Sequence, residues 1–269
     1  MRASLNLQHK PSGSSTRRSL EGAFHAFVAA NRLAMFPCRK EILGAASVSL
    51  WNEVTVKAWN DGVLVYAMDQ MDTAGARAPN GCPQGYCFGL ASVWMRGLWK
   101  GEDYPYDAAT RECTDTNWNA VQTQKVFDGE LARAEQIEKA TRVEGDIWPA
   151  VRNGFRRARL KLNNGRSQAS KGGVEGTGIY NALQVGTNDT PGGDGVYLVS
   201  MRGIYGAHAF AIANLGDEWW RLFDGNYGHF CMKGNKTFKK FLEWYISGGG
   251  TSYRFRYGGS WLSANASPD

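Results

Sequence analysis

Hydrophobic positions along the chain change their spacing, from helical steps in the first half to strand-like runs in the second. From residue 87 onwards, apolar side chains recur every three or four positions, which predicts a buried helix. A second helix, rich in interleaved charges, is predicted over residues 125–142. Strand-like runs follow at residues 195–201, 207–214 and 218–224, before a helix at 237–246. This order predicts an α+β fold with a helical half and an antiparallel β-sheet.

Weaker patterns predict further elements near both ends of the chain. Residues 51–67 contain valines and aromatic residues around an Asn-Asp-Gly turn, which predicts a short hairpin. Alternating aromatic residues at 253, 255 and 257 predict a last strand. Residues 1–22 are polar, so we expect a flexible leader there. Residues 23–269 are then expected to form one folded domain, which suits the chain length.

Composition excludes a disordered chain and indicates a preference for acidic partners. Hydrophobic residues make up 43% of the 269 residues, enough for a sizeable core. No apolar run is long enough to span a membrane. The formal net charge is +6, and residues 152–171 carry seven basic residues and no acidic residue. Such a stretch suits an anionic inner-leaflet membrane surface, although a solvated helix face is the simpler interpretation. No nucleic-acid-binding motif accompanies it, so we expect no specific nucleic-acid partner.

The cysteines do not form a recognisable disulfide framework. Their number is odd and their spacing irregular: Cys38, Cys82, Cys87, Cys113 and Cys231. None of the four histidines lies near the close pair at 82 and 87, which makes a structural zinc site improbable. We therefore expect reduced thiols and no metal or other cofactor.

Cys87 is the strongest candidate for a nucleophile. A glycine-containing loop, residues 81–86, leads directly to this cysteine at the start of the apolar helix. The unpaired N–H groups at a helix start carry partial positive charge, which favours the reactive thiolate. The alternative is an inert buried cysteine, since free cysteines are among the most buried residues.

His208 and Asp224 are the candidates for a base and its orienting partner. They lie on two predicted strands joined by a polar turn, and a hairpin centred on Gly216 places them directly opposite each other. Opposed residues have Cβ atoms roughly 4.5–5.5 Å apart, close enough for a carboxylate to accept from an imidazole N–H. The alternatives are a structural histidine and a turn-forming aspartate. His229 is a weaker competitor, on a stretch expected to be less ordered after the turn at Gly228.

These segments resemble the YopT/AvrPphB family of papain-like cysteine proteases, which bacteria inject into host cells. The resemblance rests on Cys-Phe-Gly-Leu at 87–90 with Trp94 in the helix, on His-Ala-Phe at 208–210, and on the turn at 223–228. The family often has proline after the aspartate, where this chain has Gly225, and both residues form turns. The resemblance implies a papain-like fold, thiol protease activity and a virulence effector role. It also implies that residues 1–22 act as a type III secretion signal and that the protein reaches the host cytosol.

In the mechanism that follows, Cys87 attacks a peptide carbonyl of a host protein, with His208 as base and Asp224 orienting it. The oxyanion needs two donors, and the backbone N–H of Cys87 supplies one. The second is a side-chain amide just upstream, either Gln84 or Asn80. We expect the protein to act as a monomer.

Two other functions remain open from the residues alone. The same three residues support deamidation or acyl transfer, because these reactions share the thioester step with proteolysis. The second alternative is a non-catalytic module that binds anionic membranes or nucleic acid.

Overall fold

The structure is a computed structural model that describes residues 50–68, 86–101, 116–141, 146–170, 173–184, 195–203, 206–248, 251, 253 and 257–269. The leader predicted at 1–22 and the two predicted amide donors, Gln84 and Asn80, lie outside these residues.

The described helices are α1 (Leu50–Asn60), α2 (Cys87–Lys100), α3 (Thr116–Thr141), α4 (Trp148–Arg157), α5 (Gly176–Gln184) and α6 (Asn235–Glu243), which a π-helical turn, Trp244–Gly248, extends. The described strands are β1 (Leu64–Ala67), β2 (Leu160–Leu162), β3 (Gln168–Ser170), β4 (Gly195–Gly203), β5 (Gly206–Asn214), β6 (Trp219–Asp224), β7 (Gly228–Lys233) and β8 (Ser260–Pro268). No described helix is both long enough and apolar enough to cross a bilayer.

The strands form one antiparallel sheet in the order β1-β7-β6-β5-β4-β8-β2, with β3 also paired to β8. Strands β4 to β7 follow one another in the chain and in the sheet, so short turns connect them. Strand β8 comes last in the chain but lies inside the sheet, between β4 and the short strands β2 and β3. The long strands β4 and β5 thus each have a neighbouring strand on both edges. Strand β5, in this central part of the sheet, contributes a residue to the candidate site.

Alternate side chains of the sheet face two different hydrophobic clusters. One face is built largely of alanines, such as Ala209, Ala211 and Ala264, and packs against α2, α3 and α4. The other face carries large residues, such as Phe210 and Trp220, and packs against α1, α5 and α6. The small residues allow α2 to lie close to the sheet, which brings its first residue near β5.

Aromatic contacts fix α2 in this position. The Trp94 ring stacks on Phe223 of β6, with ring centroids 5.5 Å apart and planes within 10° of parallel. At the start of the helix, Phe88 stacks on Phe127 of α3 at 4.0 Å. The helix is therefore held at its start against the neighbouring helix and near its middle against the sheet.

A glycine next to the start of α2 permits the close crossing with α3. A Cβ atom added at Gly89 would overlap the backbone carbonyl oxygen of Ala120. Gly89→Ala is therefore expected to lower the free energy of unfolding by about 2 kcal/mol, because a backbone obstacle cannot rotate away. Urea unfolding monitored by circular dichroism measures this change.

Gly129→Ala is the matched control for this substitution. It also lies in a helix, α3, but a Cβ there would meet no atom within 4 Å. Alanine is a better helix former than glycine, so this variant should be more stable by about 0.5–1 kcal/mol. Equal effects of the two substitutions would show that the crossing of α2 and α3 does not need glycine.

Two sequence predictions about secondary structure are wrong. The hairpin predicted at 51–67 is a helix followed by a short strand, α1 and β1, because Val54 and Ala58 are buried one helical turn apart. Short runs rich in valine do not distinguish a helix from a strand. The strand predicted at 253–257 disagrees with its two described residues, since Tyr253 and Tyr257 have helical backbone and their rings lie 5.6 Å apart; residues 254–256 lie outside the described ranges.

The other predicted elements are found with shifted ends. The helix that begins at Cys87 is confirmed as α2, and the three predicted strands are β4, β5 and β6. The charged helix predicted at 125–142 begins earlier, at Thr116. The last predicted helix corresponds to α6 and its π-helical turn.

Candidate active site

Cys87 is the first residue of α2 and is partly buried. The N–H of Gly89 donates to Oε1 of Gln124 at 3.0 Å, and the N–H of Leu90 donates to the carbonyl of Tyr86. As the first two residues of a helix, Cys87 and Phe88 have no intrahelical acceptor for their N–H groups. No acidic residue occupies the first turn, so the partial positive charge at this helix end acts on the sulfur.

His208 and Asp224 lie side by side at the same end of the sheet. His208 is near the start of β5 and only 3% exposed, while Asp224 ends β6 and is fully buried. The imidazole Nε2 is 3.0 Å from Oδ2 of the carboxylate and 3.1 Å from Oδ1. A proton on Nε2 therefore points at the carboxylate, and Nδ1 is left for another partner.

The register of the β5–β6 hairpin differs from the predicted one by two residues. The turn is centred on Asp217 rather than Gly216, and its three residues Gly216, Asp217 and Glu218 all have positive φ. The prediction that His208 lies directly opposite Asp224 is therefore wrong. Because a shift of two residues keeps the same face, the two are diagonal neighbours, and their side chains close the remaining gap.

The Cys87 thiol completes a row of three side chains. It lies near enough to the His208 ring to raise the pKa of the imidazole, through hydrogen bonding and through its charge. Since Nε2 of that ring is engaged by Asp224, we assign Nδ1 to the sulfur. The structure thus brings together the three residues that the sequence singled out, from α2, β5 and β6.

The surroundings of His208 favour its charged form. Burial alone lowers the pKa of this imidazole, but the charge and hydrogen bond of Asp224 act against burial, with a further contribution from Cys87. The result is a pKa well above the usual value of a histidine. Such a histidine can accept and hold a proton from the neighbouring thiol.

Two tyrosines that the sequence did not single out surround the carboxylate of Asp224. The hydroxyl groups of Tyr245 and Tyr253 each donate to Oδ2 at 2.9 Å. The backbone N–H of Asn226 donates to Oδ1 at 2.8 Å. Tyr253 and Tyr245 come from segments predicted as a strand and a helix, and no local pattern marked them, because their partner is 21 or more residues away in sequence.

The sequence of this chain also matches a known protein family. The sequence profile of the peptidase C58 family, the Yersinia/Haemophilus virulence surface antigen family, matches residues 65–258. The chain belongs to this family.

The similarity extends to a solved structure of a related fold. The crystal structure of the Pseudomonas avirulence protein AvrPphB superposes with a TM-score of 0.51 at 15% sequence identity, over 77% of this chain and 98% of that one. No curated protein sequence is similar enough to this chain to count as a match. The predicted papain-like α+β fold and the YopT/AvrPphB-type family are thereby confirmed.

His229 of this C58-family chain is not part of the row of three side chains. The prediction that it lies on a less ordered stretch is wrong, since it is the second residue of β7 and is buried. Its ring makes edge contacts with Trp94 and Tyr66 at 5.3 and 5.4 Å. Burial, with a smaller contribution from the charge of Arg221, lowers its pKa well below the usual range. His229 is thus a neutral core residue.

This buried histidine predicts a loss of stability in acid. Below about pH 6.5 the unfolded chain protonates His229 and the folded chain does not, so the unfolded state binds more protons. Lowering the pH to about 5.5 should cost about 1 kcal/mol of unfolding free energy from this residue. His229→Phe should reduce the acid-induced loss by that amount, measured by urea unfolding at about pH 7.5 and 5.5. An unchanged pH dependence in the variant would contradict the assignment.

The second described cysteine of the family member, Cys231, is not activated. It lies on β7, where burial raises the pKa of the thiol to about 11, against the opposing effect of Arg221. It is therefore protonated at neutral pH and unreactive. Within the described ranges, no group of three His, Cys, Asp or Glu side chains could hold a metal ion.

The basic residues predicted as a surface patch lie largely on α4 and the segment after it. The helix buries Val151 and Phe155, while Arg152, Arg156 and Arg157 are exposed. The same helix packs against α2 and α3 through its apolar side. Its charged side thus faces solvent, away from the helix that carries Cys87.

Proposed function

We propose that this C58-family chain is an effector cysteine endopeptidase that cleaves a host protein with a Cys87–His208–Asp224 triad. The observation that carries the proposal is the buried His208 ring, whose Nε2 lies 3.0 Å from the Asp224 carboxylate and whose pKa is raised by that carboxylate and by the neighbouring helix-start thiol. The membership of a peptidase family supports the same reaction.

The reaction begins with transfer of the Cys87 proton to Nδ1 of His208. The thiolate attacks the peptide carbonyl carbon, a C–S bond forms, and the carbonyl oxygen takes the negative charge. When the C–N bond breaks, the His208 imidazolium gives its proton to the leaving amine. Water, deprotonated by His208, then cleaves the thioester, which releases the new carboxyl terminus and restores the thiol.

Asp224 keeps this histidine in the productive state. Its carboxylate accepts a hydrogen bond from Nε2–H, so that the lone pair of Nδ1 faces the sulfur. It also stabilises the imidazolium that forms after the thiol is deprotonated.

The N–H of Cys87 is the proposed first donor to the oxyanion. It belongs to the open first turn of α2, where the helix supplies no acceptor for it. The amide side chain of Gln84 or Asn80 stays the proposed second donor, from the segment that precedes the helix in sequence.

The proposed site of action is the cytosol of the host cell, after secretion by a bacterium. We propose that residues 1–22 act as a type III secretion signal, on the resemblance to the injected effector family. The exposed arginines of α4 suit an anionic inner-leaflet surface, where a membrane-associated host protein would be met.

A comparison of protein N-termini tests the proposal. Wild-type protein and Cys87→Ser are each incubated with a host-cell extract that includes membranes, and newly formed N-termini are identified by mass spectrometry. The proposal expects one or a few new N-termini in the wild-type sample only. A gain of about one dalton at glutamine, without new N-termini, would instead indicate deamidation, and an unchanged effect on cells after Cys87→Ser would indicate a binding module.

A further inference from the structure

We infer that Tyr253 is a positioning residue of the site, whose hydroxyl bridges His208 and Asp224 and sets the proton affinity of the histidine. This inference rests on the proposed triad and adds a fourth side chain to it. The hydroxyl oxygen of Tyr253 lies 2.9 Å from Nε2 of His208 and 2.9 Å from Oδ2 of Asp224.

The hydrogen-bond directions around this hydroxyl are determined by its neighbours. A carboxylate only accepts, so the Tyr253 proton is donated to Oδ2 of Asp224. The tyrosine oxygen then accepts a hydrogen bond from the N–H of His208 Nε2. It also accepts a hydrogen bond from Nδ2 of Asn226 at 3.3 Å. The Nε2 proton is therefore shared between the carboxylate and the phenol oxygen. Every polar atom of this cluster has a partner, which is what a buried network needs in order to be rigid.

Tyr245 supplies an internal comparison for this role. It also donates to Oδ2 of Asp224 at 2.9 Å and is equally buried, but its hydroxyl has no described contact with His208. Burial and the nearby charge of Asp224 raise the pKa of both phenols well above their usual value, so both stay protonated donors. The two tyrosines thus differ in the direct bond to the histidine, in the contact of the Tyr253 ring with the imidazole at 4.7 Å, and in the bond that Tyr253 accepts from Asn226.

The two hydrogen bonds of the Tyr253 hydroxyl have opposite effects on the stability of protonated His208. Donation by either tyrosine spreads the charge of Asp224 and weakens its attraction for the imidazolium. Acceptance by Tyr253 acts in the opposite direction, because its oxygen stabilises the protonated ring. The titratable groups that face this ring among the described residues are Cys87, Asp224, Tyr253 and Tyr257, whose ring stacks at 5.8 Å.

The test uses the alkylation rate of Cys87 by iodoacetamide as a function of pH, which needs no knowledge of the substrate. In a thiolate–imidazolium pair, Cys87 reacts at a pH where an ordinary thiol is protonated, and a second inflection in alkaline solution reports deprotonation of His208. Cys87 that reacts only as an ordinary thiol in the wild type would reject the proposed triad, independently of any tyrosine variant.

Tyr253→Phe and Tyr245→Phe are then compared with each other. Both lose one donor to Asp224, but only Tyr253→Phe loses the acceptor of the Nε2 proton. The alkaline inflection of Tyr253→Phe is expected about one pH unit below that of Tyr245→Phe. Tyr197→Phe serves as a control, because its buried hydroxyl donates to the carbonyl of Leu183 and has no hydrogen bond to His208 or Asp224 within the described part of the chain, so it should keep the wild-type profile. Coinciding inflections of the two test variants would overturn the inference.

A second measurement covers the case in which Tyr253→Phe does not fold. Replacement of Tyr253 by 3-fluorotyrosine keeps its shape and both bonds, but makes the hydroxyl a stronger donor and a weaker acceptor. Both changes make the protonated form of His208 less stable. The alkaline inflection should therefore move to lower pH by several tenths of a unit. A wild-type inflection in the fluorinated protein would equally overturn the inference.

Discussion

Cys87→Ala is expected to lower the rate of substrate cleavage by a factor of about 10⁴ or more, because it removes the one described thiol that acts on His208. The fold should persist, since the side chain is only partly buried and alanine suits a helix start. The measurement is the rate of appearance of the new N-terminus found with the wild-type protein, together with thermal unfolding of both proteins.

Cys231→Ala is the matched control for this variant. It removes the other described free thiol, which lies on β7 and has a pKa of about 11. Its cleavage rate should equal that of the wild type. A large loss of activity in Cys231→Ala, or substantial activity in Cys87→Ala, would show that the nucleophile has been assigned to the wrong cysteine.

Thiol labelling connects the same prediction to His208. At about pH 6, iodoacetamide should label Cys87 and leave Cys231 unmodified, because only Cys87 has a base beside it. His208→Ala should slow the labelling of Cys87 by about a hundredfold, because the thiol then has no group to take its proton. Labelling of both cysteines at equal rates would mean that Cys87 is not activated.

Asp224→Asn is expected to have the second largest effect, on both activity and stability. The carboxylate accepts bonds from His208, Tyr245, Tyr253 and the N–H of Asn226. An amide offers one accepting oxygen, and its NH₂ group would face donors. The variant should lose about 3 kcal/mol of unfolding free energy. The cleavage rate should fall about 10⁴-fold, because the amide favours the wrong tautomer of His208.

Asp61→Asn makes the same chemical change at an exposed site. Asp61 pairs with Lys57 one helical turn away at 2.7 Å, with both side chains largely in solvent. Such a pair contributes little, so the unfolding free energy should change by less than about 0.5 kcal/mol and the cleavage rate should not change. A stable and active Asp224→Asn protein would exclude the proposed role of the carboxylate.

The site could be predicted from sequence to the extent that local patterns encode it. The helix at Cys87 follows from apolar spacing, and the strands of His208 and Asp224 follow from short apolar runs next to a turn. A one-residue slip of the register would have placed the two residues on opposite faces, but the observed difference of two residues keeps them on the same face. The register itself could not be predicted, because it depends on positive φ at consecutive turn residues, including Asp217 and Glu218, which do not require that conformation.

The wrong secondary-structure predictions have a related cause. Residues 50–60 are rich in valine and tryptophan, which suggests a strand, but burial of Val54 and Ala58 against the sheet selects a helix. Strand β8 has small and polar residues and was not predicted. Its pairing with β4 on one side and with β2 and β3 on the other stabilises it. Tertiary contacts override weak local preferences in both segments.

The sequence by itself determined which thiol opens an apolar helix, which histidine and aspartate lie on the two strands of one hairpin, and which family the segments resemble. Those features are local, because they depend on spacing within one helix, one hairpin or one motif. Only the tertiary structure decided that the thiol meets the histidine, and that Tyr245 and Tyr253 close around Asp224. These contacts join segments far apart in the chain, and a buried carboxylate accepts whichever hydroxyl groups the folded core brings within reach.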